Sequence, residues 1–255
     1  MSTALPQEMQ HHTYSIMDRV EDSHWWFVGR RAILETFLQS IVGSFDQDPG
    51  SELRILDVGC GTGANLEMLS QFGSAEGVDV SDEALDFCRK KGLSVQKGLA
   101  ESLPYPDGSF DITTALDVIE HLDDDIAGLK EMYRVTKSGG YSLFFVPAFM
   151  WLWGVQDDIS NHRIRYTRRQ IVERIKRASY TVERATYANF TFFAPVLGGR
   201  VIMKLTGIKP ESENNINISA MNGLFGKIFS AERFWLKNRN LPFGVSIVVV
   251  AKKNA

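Results

Sequence analysis

Ile55-Leu56-Asp57-Val58-Gly59-Cys60-Gly61-Thr62-Gly63-Ala64-Asn65 joins an apolar run to glycine at every second position. Leu53 to Val58 reads as a buried strand, Gly59 to Gly63 as a tight turn, and Ala64 to Gln71 as a helix. Glycine permits positive φ and lets a ligand approach the backbone. Read loosely, Gly59, Gly61 and Ala64 fit the dinucleotide fingerprint G-x-G-x-x-G/A. Asp57 argues against that reading. A carboxylate at the strand tip repels a pyrophosphate and suits a ligand carrying positive charge.

Outward from this loop the pattern alternates. Ala75 to Val80 is a second strand, and Ser81 caps a helix with Asp82 and Glu83 in its first turn. That helix ends at Gly92, and Leu93 to Lys97 is a third strand. Phe110 to Leu116 is a fourth, followed by a helix from about Asp124 to Thr136 that Gly139-Gly140 is expected to stop. Tyr141 to Val146 is the fifth. Thr167 and Gln170 form a capping box for a helix to about Ser179. Val182 to Tyr187 and Val245 to Ala251 are the last two strands, expected to pair antiparallel with the final one at the sheet edge. Strand–helix alternation implies a mostly parallel sheet covered on both faces.

Ahead of the sheet, residues 13–42 carry a helical apolar stripe that includes Trp25, Trp26, Ile33, Leu34 and Phe37. Gly43 to Glu52 is a linker by composition. Between the sixth and seventh strands, Asn189 to Phe243 is too long for a structureless loop and is expected to form a helical cap. The expected division is 1–52 as an N-terminal helical lid and linker, 53–188 with 244–255 as the core, and 189–243 as the inserted cap.

The 255 residues are 44% hydrophobic, ample for a core. The formal charge of −3 excludes a globally basic nucleic-acid binder and an acidic disordered chain. Two cysteines, Cys60 and Cys88, rule out a disulfide framework and fit a reducing compartment. No Cys/His cluster has zinc spacing, so no metal is expected, and His11-His12 reads as a solvated tail. Met1 to His12 lacks the apolar core of a signal peptide. Ser138 to Gln156 is uncharged, but Gly139-Gly140 and Pro147 favour a strand and aromatic loop over a membrane span. A cytoplasmic chain is expected, with peripheral contact at the inner membrane face as an alternative.

LDVGCGTG, GVDVS, AESLPYPDGSFD, LDVIEHLDD and the Lys137-Ser138-Gly139-Gly140 turn follow one another in order. This arrangement resembles the Rossmann-like, class I S-adenosylmethionine-dependent methyltransferases of the type 11 and 12 group, over about Arg54 to Tyr187 plus the last strand. The resemblance implies a doubly wound α/β fold with a seven-stranded, mostly parallel sheet and an antiparallel last strand. It implies S-adenosylmethionine as cofactor and S-adenosylhomocysteine as product. Gly59, Cys60, Gly61 and Gly63 would pack under the cofactor, with Asp57 near its amino-acid end. Asp79 would take both ribose hydroxyls, since a carboxylate accepts two hydrogen bonds from a diol. Val80, Ala100 and Glu101 would meet the adenine, although many relatives carry Asp where this chain has Leu99. Asp117 would lie near the methionine portion.

Methyl transfer needs a base only where the acceptor is protonated. His121, after the fourth strand, can serve as that base or pack structurally beside the cofactor. Trp151 to Tyr166 adds an aromatic and charged cluster after the fifth strand, at the ligand-binding edge of such sheets. His162 is its catalytic candidate. Trp153, Asp157, Arg163, Arg165 and Tyr166 are its acceptor-binding candidates. The cluster, the front segment His24 to Arg31 and the closing Pro242 to Ser246 resemble one bacterial methyltransferase subgroup, from which Gln156 and Ile164 depart. By that resemblance Trp26 and Arg30 would lid the cofactor, Arg30 on its carboxylate; the tryptophans fit a helix core equally.

The cap is apolar with basic flanks, Arg200 and Lys204 among them, and can form a substrate lid or lie on anionic lipid. Residues 1–150 carry 11 basic and 24 acidic residues, a balance of −13; residues 151–255 carry 17 and 7, a balance of +10. That polarity suits a cationic cofactor in the first part and an anionic acceptor or surface in the second. The leading expectation is O-methylation of a small anionic or carboxylate-bearing metabolite or peptide. A peripheral membrane methyltransferase on a lipid, quinone or glycan carrier is the alternative, and a non-catalytic S-adenosylmethionine-binding module a third. Nucleic acid is not expected, because no recognition motif accompanies the charge.

Overall fold

The computed structural model describes residues 11–45, 52–207 and 219–254. Two helices lead, α1 (His11–Val20) and α2 (Trp25–Val42). The alternating core follows as β1 (Arg54–Val58), α3 (Ala64–Leu69), β2 (Ser74–Asp79), α4 (Asp82–Lys90), β3 (Val95–Lys97), β4 (Phe110–Leu116), α5 (Asp125–Val135) and β5 (Thr136–Pro147). Then come α6 (Val155–Ile159), α7 (Arg168–Arg177), β6 (Thr181–Ala188), α8 (Phe193–Thr206), α9 (Ser219–Leu236) and β7 (Ser246–Lys252).

The strands form one sheet in the order β3-β2-β1-β4-β5-β7-β6. β3 to β5 run parallel; β7 is antiparallel to both β5 and β6. From β1 the chain winds outward to β2 and β3, then returns to place β4 on the other flank of β1. This reversal opens a crevice over the carboxyl ends of β1 and β4, where open α/β sheets take ligands. Asp57 stands opposite Gly77 of β2 and Thr114 of β4.

Three expectations are corrected. β7 is interior and β6 forms the edge. The physical reason lies in their patterns: Val248, Val249 and their neighbours are apolar on both faces and demand cover, whereas Thr181-Val182-Glu183-Arg184 tolerates water. The front stripe is two helices, not one. His24 caps the second, its Nδ1 accepting the Trp26 N–H at 3.3 Å, and His11 and His12 begin α1. Gly139-Gly140 does not stop α5, because β5 already begins at Thr136. Gly139 (φ +78°) instead donates its N–H to the Lys253 carbonyl at 2.8 Å. The centre of the Gly43–Glu52 linker, residues 46–51, lies outside the described residues.

The capping readings hold at Ser81, which accepts the Ala84 N–H, and at Thr167 with Gln170. α2 buries Ile33, Leu34, Phe37, Leu38 and Ile41, and also meets α9, where Gly29 lies directly against the Phe229 ring. Glu232 of α9 braces the cap internally by accepting the backbone N–H groups of Asn189 and Thr191, just after β6, each at 2.8 Å.

A methyl at position 29 has no room beside Phe229. Alanine gains about 1 kcal/mol over glycine in a helix, but overpacking costs about 1–3 kcal/mol. Gly29→Ala is therefore expected to lose stability in urea unfolding; a gain would show that the α2–α9 contact yields freely.

Candidate active site

The glycine loop takes its shape from three left-handed residues, Gly59, Gly61 and Gly63, at φ +70°, +53° and +96°. Gly59 and Cys60 both donate to the Val78 carbonyl, at 2.7 and 3.1 Å, which ties the loop to β2. Asp79 completes the tie. Its Oδ2 accepts the Gly61 N–H and its Oδ1 the Ser81 N–H, both at 2.9 Å.

Above the loop opens a cavity of about 650 Å³, within the usual range for small-molecule sites. α1 forms one wall through Tyr14, Met17 and Glu21. Glu21 accepts the Thr62 hydroxyl at 2.7 Å, and burial pushes its carboxyl pKa up. α2 supplies Trp26 and Arg30. Arg30 donates to Asp117 at the tip of β4, reaches Asn65 Oδ1 at 3.3 Å, and lies over the Trp26 ring at 4.9 Å. Asp117 is held at φ +60°, a strained position for a residue with a side chain. Burial raises its pKa, and the Arg30 and His162 charges oppose that.

The far wall comes from the segment after β5. Asp157 is fully buried and acts as a hub. Its Oδ1 meets His162 Nδ1 and Arg165 Nη1, each at 2.8 Å, and its Oδ2 lies 3.5 Å from Arg200 Nη1 of α8. Burial works against its charge, but His162, Arg165 and Arg200 outweigh burial and hold the carboxyl well below the usual range. Arg165 also donates to the carbonyls of Ala148 and Val245, at 2.8 and 3.1 Å, joining this segment to the tip of β5 and the start of β7. His121 packs edge-on against His162, ring centres 4.7 Å apart. Burial, with the charges of His162 and Arg163, lowers the His121 pKa to about 3, so its imidazole is neutral and only weakly basic at physiological pH.

Of the sequence candidates, Trp26, Arg30, Gly59, Cys60, Gly61, Asp79, Val80, Ala100, Asp117, His121, Asp157, His162 and Arg165 line this one cavity. Asp57, Gly63, Glu101, Trp153, Arg163 and Tyr166 do not. Asp57 lies one layer below the loop and accepts the Thr114 hydroxyl at 2.5 Å. Tyr166 belongs to the core and donates to Asp125 at 2.9 Å. Arg163 turns to Asp123 at 3.0 Å, and the Trp153 indole to Asp158 at 2.8 Å. Sequence reading missed Glu21 and Arg200 as wall residues. Arg200 is the one buried side chain of α8, and a lone arginine within FFAPVLGGRVIM was its available signal.

The cavity fits S-adenosylmethionine. A carboxylate is an acceptor with several lone-pair sites, and Asp79, which lines the cavity at the tip of β2, offers the acceptor chemistry that a ribose diol needs. Gly61 has no neighbour closer than the Met17 methyl, 3.9 Å from where a Cβ would stand, so the loop backbone is open to the ligand. The Arg30 Nε is buried without a partner in the wall, a donor suited to the cofactor's carboxylate. Glu21, Asp79 and Asp117 surround the space with acidic groups that complement a sulfonium and an ammonium.

Comparison with known proteins agrees. Residues 56–144 match the family model described as a methyltransferase domain. An uncharacterized methyltransferase of Schizosaccharomyces pombe is 30% identical over 152 residues, 53% of this chain and 51% of that protein. The ubiquinone biosynthesis O-methyltransferase of Ruegeria pomeroyi is 30% identical over 122 residues, 43% of this chain and 49% of that protein. In fold, an S-adenosylmethionine-dependent methyltransferase of Thermotoga maritima superposes with a TM-score of 0.57 at 23% identity, covering 95% of this chain and 100% of that one. Residues 56–144 of this chain therefore match a methyltransferase domain, set on a class I, Rossmann-like fold whose cavity suits S-adenosylmethionine. It spans about half the length of these two curated relatives.

Burial pushes the Asp57 pKa up to about 7, against the opposing Thr114 hydroxyl and Arg30 charge. An unfolded aspartate titrates near 3.9. Between those values the folded chain keeps a proton that the unfolded chain has lost. Stability from this group is therefore lost as pH rises from about 4 to about 7, at up to about 1.4 kcal/mol per pH unit. Asp57→Asn should flatten that dependence in urea unfolding at pH 5 and pH 7. Equal slopes for parent and variant would contradict the buried, protonated carboxyl.

Proposed function

We propose that this chain transfers a methyl group from S-adenosylmethionine to an oxygen of a small acceptor, metabolite or peptide, that bears an anionic group. The observation that carries this reading is the continuity of the cavity, from the glycine loop past Asp117 to His121, His162, Arg165 and Arg200. The cofactor supplies an activated methyl on its sulfonium, and alignment with exclusion of water is the protein's part. Asp79 holds the ribose end. Arg30, braced by Asp117 and Trp26, closes over the methionine end. His121 and His162 meet the acceptor oxygen. Arg165 and Arg200 attract an anion, tempered by Asp157 between them. The helices α1 and α2 act as a lid and α8 and α9 as a cap over this space, and the chain works in the cytoplasm, consistent with its two free, buried cysteines.

A second reading has its own support. Ile202 and Leu205 of α8 are 60% and 82% exposed, and Phe234 and Trp235 of α9 are 71% and 50% exposed. Lys204, Arg233 and Lys237 lie beside them in sequence. Such a surface suits contact with an anionic membrane and delivery of an apolar acceptor. The ubiquinone enzyme named above points the same way. No helix among the described residues is long and apolar enough to cross a membrane.

Asp79→Ala is expected to weaken S-adenosylmethionine binding at least tenfold by calorimetry. Unchanged affinity would remove the ribose role. His162→Ala should lower turnover by about 10²-fold while leaving cofactor affinity intact. Turnover equal to the parent's would place the acceptor elsewhere. In flotation with anionic liposomes the chain should stay in the aqueous fraction; strong flotation would move the conclusion to the membrane reading.

A further inference from the structure

The acceptor wall holds a cluster that methyl transfer from a sulfonium does not itself require. A single 3-10 turn after β4, Ile119–His121, sets Glu120 beside His121, and the segment after β5 brings His162 against both. One metal-ligating atom from each of the three lies within 4.8 Å of the others. Glu120 has no solvent exposure, and neither of its carboxylate oxygens meets a hydrogen-bond donor. His121 Nδ1 is likewise buried without a partner. Buried polar atoms are ordinarily satisfied, and a buried carboxylate especially so.

His162 is oriented for a ligand. Its Nδ1 is engaged by Asp157 at 2.8 Å, which fixes the ring and leaves Nε2 to point away. A carboxylate behind the distal nitrogen is the usual support of a metal-bound histidine. That Nε2 lies 3.9 Å from Glu120 Oε1. Ligand atoms bound tetrahedrally at about 2.0–2.2 Å stand roughly 3.3–3.6 Å apart, so closure around an ion needs shifts on the order of 1 Å. Of the nearby cations, Arg165 is hydrogen-bonded to Asp157 at 2.8 Å and Arg163 to Asp123 at 3.0 Å.

We propose that Glu120, His121 and His162 bind one divalent transition-metal ion, of the zinc and cobalt type, at the acceptor end of the cavity. Two imidazoles with one carboxylate suit such an ion, whereas magnesium and calcium prefer oxygen ligands throughout. Three protein ligands leave a coordination position open, and His121 and His162 both face the cavity. An acceptor hydroxyl bound there loses its proton to water as its oxygen joins the ion. That oxygen then forms the new bond to the methyl carbon, while the methyl–sulfur bond breaks with its electron pair on sulfur. The role in catalysis rests on the methyl-transfer reading; the binding of the ion does not. The sequence expectation of no metal looked for closely spaced Cys and His, and His162 comes from a different loop than His121.

The test is direct metal binding by the full chain, without an affinity tag, after chelator treatment. Cobalt(II) titration should give one equivalent bound, with visible ligand-field bands that zinc(II) displaces, and zinc should raise the melting temperature. Glu120→Gln and His162→Ala should each weaken cobalt binding at least 100-fold, and Asp157→Asn about tenfold. Replacement of both His11 and His12 by alanine should leave binding intact. S-adenosylmethionine affinity, measured alongside, separates loss of fold from loss of a ligand. If Glu120→Gln fails to fold, His162→Ala decides. The proposal is overturned by absence of stoichiometric cobalt, by parent-like binding in His162→Ala, or by loss of binding on replacing His11 and His12.

Discussion

Asp79 holds the cofactor end of the molecule together through two backbone hydrogen bonds, one to Gly61 in the loop after β1 and one to Ser81 in the turn after β2. Because β1 and β2 are parallel neighbours, this single carboxylate fixes the relative position of two strand tips and the entry of two helices, α3 and α4. The same loop needs left-handed backbone at three glycines, two of which would collide with Val118 or Leu93 if they carried a Cβ. Shape and charge are thus set together. The loop can take only one course, and an acidic group stands at its mouth. Glu21 and Asp117 extend that acidic lining on the two sides.

Asp157 plays the corresponding part at the acceptor end. It lies on the short α6 but binds His162, Arg165 and, from the cap, Arg200. Two arginines and a histidine around one buried carboxylate compensate much of its desolvation, and removal of the carboxylate would leave the buried guanidinium charge unmatched. The cap is therefore held to the core by electrostatics at Asp157 as well as by the apolar packing of α9 on α2.

Much of the fold was legible because each element obeys a local rule. Phe110 to Leu116 reads as a strand from its β-branched and apolar run, and Ser81 and Thr167 mark helix starts by the chemistry of an N-cap. The misreadings share a cause. Whether β7 lies at the edge or inside depends on which strand pairs with its far side, and Thr181–Ala188 supplies that pairing from 58 residues or more away. Likewise Trp153, Arg163 and Tyr166 sit in a segment that reaches the cavity, yet each side chain is claimed by another partner: Asp158, Asp123 and Asp125. Sequence names the segment; the rotamers are chosen by contacts that sequence spacing does not encode.

The amino-acid order by itself determined the alternation of strands and helices, the glycine loop with Asp79 downstream, and the charge split between the two parts of the chain. Those features depend on neighbours within a few residues, where backbone sterics and capping dominate. Only the tertiary structure decided that Arg200 reaches Asp157, that Asp57 lies beneath the cavity instead of in its wall, and that Glu120, His121 and His162 converge. These depend on how deeply each group is buried and on what the packing of distant elements places against it. The surroundings of three buried carboxyls give them three characters: a hub among basic side chains at Asp157, a group that keeps its proton up toward neutral pH at Asp57, and one without a hydrogen-bond partner at Glu120.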